Sequence, residues 1–365
     1  MKRPLPYHLF LIYLLLFTGN LFADQKDSAT IKLSGYIDTY YAYYTDSVGP
    51  GNYQKFPSVD PRSNSFGLDH AMISAQYDGS KYRGIVTAHY GDIPRSIWSP
   101  TFNGIMEAHA GVKIASDLWL DAGFFRTHTG AEGLLPKENF ASCISISTFY
   151  EPYYESGARL DYHPSAKFTV DFYVLNGYNM YEDNNNKKSV GLYACYAFND
   201  NTNIGYTNYI GDDTPLAADT ISHLRIYQNI FANYQIGKLK MQMGFDFFLQ
   251  QNSNIVEQNK TVSTFSGVLN LKYYFNDRFS IYTRGEIFND PQGFVSTVFP
   301  DSTGLLTGYK LWGNTTGIEY KPTENSYIRL EGRKLQMDSN QYIYYWNGAK
   351  RNYRLETLLN LGISF

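Results

Sequence analysis

Histidine and acidic side chains are the groups in this sequence that could bind a metal or transfer protons. Glu107 and His109 lie two residues apart, which places them on one face of an extended segment and allows a weak metal or acid–base site. Asp69 and His70 are the second candidate pair. Histidines exposed to water are far more common than such sites, and the 365 residues contain no HExxH, CxxC, GxSxG or P-loop pattern. We therefore predict no enzyme, and we assign no catalytic residue, metal ligand or cofactor.

Arginine and glutamate residues recur with a spacing of two in two late segments. Arg284 is followed by Glu286, and Arg329 by Glu331 and Arg333. Side chains two apart in a strand point to the same face. Two interpretations follow: a row of basic groups that attracts anionic solutes, or ion pairs between strands that stiffen a wall. We favour the ion pairs.

These segments belong to a chain in which polar and apolar residues alternate. Near the C-terminus Leu359 and Leu361 fall on one parity, and Glu356 and Asn360 fall on the other. Strict alternation indicates a strand with one apolar and one polar side. The alternating segments are longer than the roughly 5–6 residues usual in globular sheets. The pattern predicts an all-β protein with long strands.

The composition excludes several other classes of protein. The chain carries 34 Tyr and 24 Phe, yet its mean hydropathy is −0.36 and its formal net charge is −3. So many aromatic residues exclude a disordered chain, two Cys exclude a disulfide scaffold, and the absence of a basic excess argues against nucleic acid as a partner. We place tyrosines such as Tyr36, Tyr40 and Tyr43 on the apolar faces, at the two interfaces of a bilayer.

The connections between the alternating segments predict the topology. Short links rich in turn residues alternate strictly with longer ones. Seven short and eight long links imply sixteen strands, with both chain ends on the short-link side; fourteen strands is the alternative. Short periplasmic turns, long outer loops and an even strand number are typical of a transmembrane antiparallel β-barrel of the outer membrane.

The two ends of the chain are consistent with export to that membrane. Two basic residues precede an apolar run at 9–17, which predicts a secretory signal peptide over residues 1–23. Residues 24–365 would then form the barrel. The chain stops at Phe365, at the end of an alternating strand. A terminal aromatic residue of this kind resembles the signal that the barrel-assembly machinery recognises.

Several short segments span nearly the whole chain: 35–41 (GYIDTYY), 64–68 (NSFGL), 152–159 (PYYESGAR), 174–177 (VLNG), 284–288 (RGEIF), 320–322 (YKP) and 329–333 (RLEGR). In this order they resemble the OmpL-like β-barrel porin-2 family of Bacteroidetes-type bacteria. The resemblance implies a porin-like channel, but it does not define the solutes.

The third long connection, residues 129–152, is unusually apolar for an outer loop. We expect it to fold into the barrel and narrow the pore; the alternative is that it caps the outer rim. The candidate constriction residues are Glu132, Lys137, Glu138 and Phe140. Cys143 lies in this segment and Cys195 lies on the inward parity of a strand. We expect the two thiols to be unpaired.

The polar parity of the strands predicts which side chains line the channel. Acidic and basic residues nearly balance there, which predicts weak charge selectivity. The predicted channel-lining residues are Arg159, Arg225, Asp246, Arg284, Glu286, Arg329, Glu331 and Arg333.

From the sequence we expect an outer-membrane porin of a Gram-negative bacterium that passes small hydrophilic solutes by diffusion. A non-conducting barrel that acts as an adhesin or scaffold is the alternative, and a barrel protease or lipase is a remote one. The expected partners are outer-membrane lipid and lipopolysaccharide, the barrel-assembly machinery and small polar solutes, but no nucleic acid. Assembly into a homo-oligomer is left open.

Overall fold

Sixteen alternating segments form the strands of one closed antiparallel barrel. The computed structural model describes residues 29–46, 53–54, 56, 58–216 and 221–365, so the predicted signal peptide lies outside the described residues. The barrel strands are β1 (Thr30–Tyr44), β2 (Ser65–Asp78), β3 (Tyr82–Tyr90), β4 (Ile105–Ala115), β5 (Leu118–Arg126), β6 (Tyr154–Ser165), β7 (Phe168–Leu175), β8 (Ser189–Asn199), β9 (Thr202–Gly211), β10 (Arg225–Ile236), β11 (Leu239–Gln250), β12 (Val262–Tyr274), β13 (Phe279–Asn289), β14 (Lys310–Tyr320), β15 (Ser326–Met337) and β16 (Tyr353–Ser364). The all-β prediction with sixteen strands is confirmed, and the alternative of fourteen is wrong.

The parity of the strands decides which side chains point outward. In β16, Leu361 and Ile363 are 49% and 43% exposed, whereas Arg354 and Asn360 are fully buried. The barrel closes because β16 pairs with β1 over nine residues, from Tyr36 opposite Ser364 to Tyr44 opposite Glu356. Closure removes unpaired strand edges, which a hydrocarbon environment would penalise by several kcal/mol per group.

Short and long connections alternate around the barrel, as the sequence predicts. The short connections are residues 79–81, 116–117, 166–167, 200–201, 237–238, 275–278 and 321–325. The long ones are residues 45–64, 91–104, 127–153, 176–188, 212–224, 251–261, 290–309 and 338–352. All short connections lie at one end of the barrel, together with both ends of the strand series; we call this the short-turn end and the opposite one the long-loop end.

The long connections contain small amounts of further structure. Helix α1 (Asp92–Ile97), a 3-10 turn (Pro136–Glu138) and helix α2 (Ile146–Tyr150) lie in the second and third of them. Two short hairpins, Phe299–Pro300 with Leu306–Thr307 and Tyr344–Trp346 with Ala349–Arg351, lie in the seventh and eighth. Within the described ranges, no helix has both the length and the apolar character needed to cross a bilayer.

The placement of Tyr36 and Tyr40 at the bilayer interfaces is wrong. Both share the parity of Asp38, so they point into the barrel, where they are 0% and 2% exposed. Tyr43 has the opposite parity and is exposed on the outside. Inward aromatic rings find space because glycines face them on the next strand: the ring of Tyr327 lies over Gly362, where a Cβ atom would clash with it. The barrel interior is therefore richer in aromatic residues than the sequence suggested.

Candidate functional site

The connection between β5 and β6, residues 127–153, lies inside the barrel; we call it loop 3. Its apolar side chains are buried rather than exposed to water, with Leu135 and Ile144 packed in a cluster that includes Tyr36 of β1. Ser145 caps the N-terminus of the short helix α2, because its hydroxyl accepts a hydrogen bond from the backbone N–H of Thr148 at 3.2 Å. The apolar composition of this connection is explained by its burial within the barrel.

Acidic side chains of the barrel wall accept hydrogen bonds from the backbone of loop 3. The Glu331 carboxylate accepts from the N–H groups of Ser142 and Cys143, the latter at 3.2 Å. The Glu286 carboxylate accepts from the N–H of Ile146 at 2.8 Å. An irregular backbone at membrane depth is tolerated only where its polar groups are satisfied. These carboxylates provide charged acceptors for donors that would otherwise be buried without a partner.

Basic side chains of the same wall donate to the carbonyl groups of loop 3. Arg284 donates to the backbone oxygen of Cys143 at 2.6 Å and to that of Ile144 at 3.1 Å. Arg329 donates to the backbone oxygens of Pro136 and Asn139 at 2.8 and 3.0 Å. The alternating arginines and glutamates thus hold both kinds of backbone group of loop 3.

Glu132 is buried and stabilises loop 3 internally. Its carboxylate accepts from the backbone N–H of Ser145 at 2.8 Å and from Asn270 at 3.0 Å, and it lies 3.2 Å from the guanidinium of Arg284. Burial opposes ionisation, but the Arg284 charge and these donors hold the pKa of Glu132 below its ordinary value. Glu132 is therefore a charged anchor of the loop and does not face channel water.

The six predicted channel-lining residues on β11, β13 and β15 point inward but lie beneath loop 3, so their prediction as channel-lining residues needs correction. Each is at most 5% exposed: Asp246, Arg284, Glu286, Arg329, Glu331 and Arg333. They form ion pairs or hydrogen bonds with each other and with neighbouring residues. Arg333 binds Glu286, and Arg329 binds Glu319, each at 2.7 Å. We call the inward faces of β11–β16 the covered wall.

The inward faces of strands β3, β4, β5 and β6 include charged side chains that remain partly exposed; we call these faces the open wall. Arg83 and Arg159 are there, with side chains 22% and 21% exposed, and both bind the carboxylate of Asp121. Arg83 also contacts Asp161 at 2.6 Å. Gly111 lies between Arg83 and Asp121 in the sheet, and a Cβ atom there would collide with the Asp121 carboxylate. The glycine allows this pair to form across an intervening strand.

The predicted residue Arg225 lies apart from both walls. It is the first residue of β10, near the long-loop end, where its guanidinium donates to Gln250 at 2.8 Å and lies 4.7 Å from the ring centre of Tyr178. It therefore contributes to the long-loop end of the barrel.

The four predicted constriction residues separate into two exposed and two buried side chains. Lys137 and Glu138, at the 3-10 turn of loop 3, are exposed inside the barrel, whereas Glu132 and Phe140 are buried. Glu138 pairs with Arg126, whose guanidinium donates to it at 2.8 Å. Sequence reasoning missed Arg126, because its contact with Glu138 forms only when loop 3 folds into the barrel.

A cavity of about 290 Å³ lies between loop 3 and the short-turn end. Lys137 and Phe140 of loop 3 line one side, and the other side is lined by Lys240, Lys272, Glu319, Lys321 and Arg329. Lys240 lies 5.8 Å from the ring centre of Phe140. We call this space the lysine cavity.

The candidate catalytic and metal residues are buried or lack the required neighbours. Asp69 and His70 are both 0% exposed, and the His70 imidazole contacts that of His89 at 3.0 Å. Glu107 accepts from Thr87 at 3.2 Å. In the part of the chain that the structure describes, no group of three or more His, Cys, Asp or Glu could hold a metal ion.

The two cysteines are not bonded to each other. Cys143 is buried in loop 3, and Cys195 is partly buried on β8. Burial raises the pKa of the Cys143 thiol, which makes it a poor nucleophile.

Comparisons with known proteins identify a family and a fold. The family profile described as "Putative beta-barrel porin-2, OmpL-like" matches residues 30–365. No curated protein sequence matches the chain. Among solved structures, the outer membrane channel DcaP of Acinetobacter baumannii has a TM-score of 0.60 at 11% identity, covering 92% of this chain and 97% of its own.

Two further structures are similar at the same level. The anion-selective porin from Comamonas acidovorans has a TM-score of 0.59 at 9% identity, covering 92% of this chain and 100% of its own. The trimer form of OmpT, an outer membrane protein of Vibrio cholerae, has a TM-score of 0.56 at 13% identity, covering 92% and 99%. At such identities these likenesses establish the barrel fold alone.

Proposed function

The chain belongs to the OmpL-like β-barrel porin-2 family, and on this premise we propose that it is a passive diffusion channel for small hydrophilic solutes. The channel would lie in the outer membrane of a Gram-negative bacterium and would show only weak charge selectivity. Loop 3 would form one side of the narrow part of the channel, and the open wall would form the other.

The observation that carries this proposal is the asymmetry of the barrel interior. Loop 3 packs on the covered wall, while charged side chains of the open wall, such as Arg83 and Arg159, keep about a fifth of their surface in contact with water. Porins of this strand number typically enclose water. The paired charges of the open wall support weak rather than strong selectivity, because each arginine has a carboxylate beside it.

Planar-bilayer recording of the purified protein tests the proposal. Stable open current steps, together with swelling of liposomes in small sugars and amino acids, would support a diffusion channel. A correctly folded barrel that gives no current and no swelling would contradict it and would favour the adhesin or scaffold function. Hydrolysis of peptides or lipids by the same preparation would instead point to a barrel enzyme.

The remaining expectations about the cell concern export and partners. We propose that residues 1–23 are a cleaved signal peptide, and that the barrel-assembly machinery recognises the last strand, which ends in Phe365. Outer-membrane lipid and lipopolysaccharide would surround the outward apolar face. A homo-oligomer is also proposed, since one similar barrel has a trimer form. N-terminal sequencing and cross-linking in native membranes test the first and last of these points.

A further inference from the structure

The lysine cavity lies where a solute would pass between loop 3 and the short-turn end of the barrel. Lys137 is exposed at the 3-10 turn of loop 3, Lys240 is partly exposed on β11, and Lys321 is partly exposed in the last short turn. Within the described ranges, none of these three lysines forms an ion pair with a carboxylate. Lys137 and Lys240 have aromatic rings as their neighbours, at 4.6 Å from the Tyr36 ring centre and 5.8 Å from that of Phe140.

The acidic residues around the cavity are engaged by other cations. Glu319 lies 2.7 Å from both Lys272 and Arg329, so one carboxylate is shared between two basic groups. Glu138 is held by Arg126 at 2.8 Å. Only Glu324, exposed in the turn, remains to offset the three unpaired lysines. The cavity therefore carries an excess of positive charge within walls of low dielectric constant, which concentrates anions from solution.

We propose that the lysine cavity is a binding subsite for small anions of the phosphate or carboxylate type, and that it makes the channel prefer anions to cations. This proposal rests on the proposed function as a channel, and it specifies that the weak charge selectivity favours anions. Ammonium groups bind compact anions as flexible point charges. Lys137 and Lys240 extend from loop 3 and from the wall, so an anion between them would contact both sides of the passage.

The covered wall explains why the near-balance of charges in the sequence does not exclude such a preference. Arg284 and Arg333 are buried and paired away from the cavity, and the charge of Arg329 at the cavity wall is offset by Glu319, so these arginines contribute little to the potential in the channel. Solutes contact the exposed charged groups. Among the described residues of this cavity, the exposed charged groups without an ion-pair partner are mainly lysines.

The test is the reversal potential across a planar bilayer under a tenfold KCl gradient. The wild-type protein should favour chloride over potassium, and K137Q/K240Q should lower the chloride-to-potassium permeability ratio by about twofold or more. The matched control K260Q/K350Q removes two lysines from the outer loops and should keep the wild-type ratio. The single variants K137Q and K240Q should each give part of the effect, which preserves the test if the double variant folds poorly.

Inorganic phosphate is the second probe. Millimolar phosphate should block the wild-type chloride current in a saturable way, and K137Q/K240Q should require several-fold more phosphate for the same block. A wild-type channel without chloride preference, an unchanged ratio in the double variant, or equal phosphate effects on both proteins would overturn the subsite. A wild-type protein that gives no current at all would instead contradict the proposed channel function.

Discussion

The covered wall and the open wall contain the same types of residue in opposite surroundings. On the covered wall Arg284 is fully buried, and it binds Glu132 together with two backbone oxygens of loop 3. On the open wall Arg159 is 21% exposed and binds Asp121 at 3.0 Å. The first arginine has an architectural role, because it satisfies a loop that would otherwise carry unpaired backbone groups. The second remains in contact with water that solutes could share.

The difference shows that inward orientation does not by itself make a side chain part of a channel. A charge affects solutes only if water reaches it, and loop 3 decides where water reaches. Breaking a buried pair leaves an uncompensated charge. On the open wall, loss of Arg159 leaves Asp121 with Arg83 as a second cationic partner. The two walls should therefore respond differently to the same substitution.

The largest difference is expected for arginine-to-methionine substitutions. R284M leaves Glu132 without its cationic partner and the carbonyls of Cys143 and Ile144 without the Arg284 donor, so the free energy of unfolding should fall by about 3–5 kcal/mol. R159M on the open wall should lower it by less than R284M does, because Arg83 still binds the buried Asp121 carboxylate. Urea unfolding in lipid vesicles, followed by tryptophan fluorescence, measures both. Equal losses for the two variants would show that the walls are not energetically distinct.

Removal of loop 3 should make the covered wall resemble the open one. Deletion of residues 131–149 exposes the inward arginines and glutamates of β13 and β15 to water, so single-channel conductance should rise by about twofold or more. Deletion of residues 343–351, the hairpin of the eighth long connection, is the control and should change conductance little. Unchanged conductance after the first deletion would contradict a narrowing role for loop 3.

Acidification should weaken the attachment of loop 3 to the covered wall. The pKa of Glu132 is depressed in the folded protein, so its ionised form adds stability above the ordinary glutamate pKa, and this stability is lost as the pH falls toward the depressed value. The loss is about 1.4 kcal/mol for each unit by which the pKa is depressed. A comparison of the midpoints of urea unfolding at pH 7 and pH 3 measures this loss of stability. E132Q should show a smaller decrease than the wild type, and an identical decrease would exclude Glu132 as a contributor.

The smallest effect is expected for charge removal on the open wall. R159Q removes a cation whose charge Asp121 already offsets, so the permeability ratio for chloride and potassium should change by less than about twofold. Its reversal potential can be recorded beside that of the K137Q/K240Q variant. A larger shift in R159Q than in the lysine variant would place the main charge filter on the open wall.

Local patterns in the sequence were sufficient for the barrel. The parity of Leu361 against Asn360, and the alternation of short and long connections, follow from neighbours in the chain, because the side-chain period of a strand is two residues. The same rule placed Arg284, Glu286 and Arg329 on the inward face. The placement of Tyr36 and Tyr40 at the bilayer interfaces did not follow this rule. Both share the parity of Asp38 and point inward.

The roles of the inward residues could not be read in the same way. That Glu331 accepts the N–H groups of Ser142 and Cys143 depends on a contact between residues nearly 190 positions apart. Arg126 reaches Glu138 only because loop 3 turns back into the barrel. No periodicity in the chain encodes such contacts.

The sequence by itself determined the family resemblance, the strand number and the inward face of the charged residues on β13 and β15, because alternation and turn residues act over a few positions. Only the tertiary structure decided which of the inward charges meet water. Loop 3 must satisfy its backbone inside the barrel, and it does so with the arginines and glutamates of the covered wall. Long-range packing thus separated the paired, buried charges from the exposed lysines at the short-turn end.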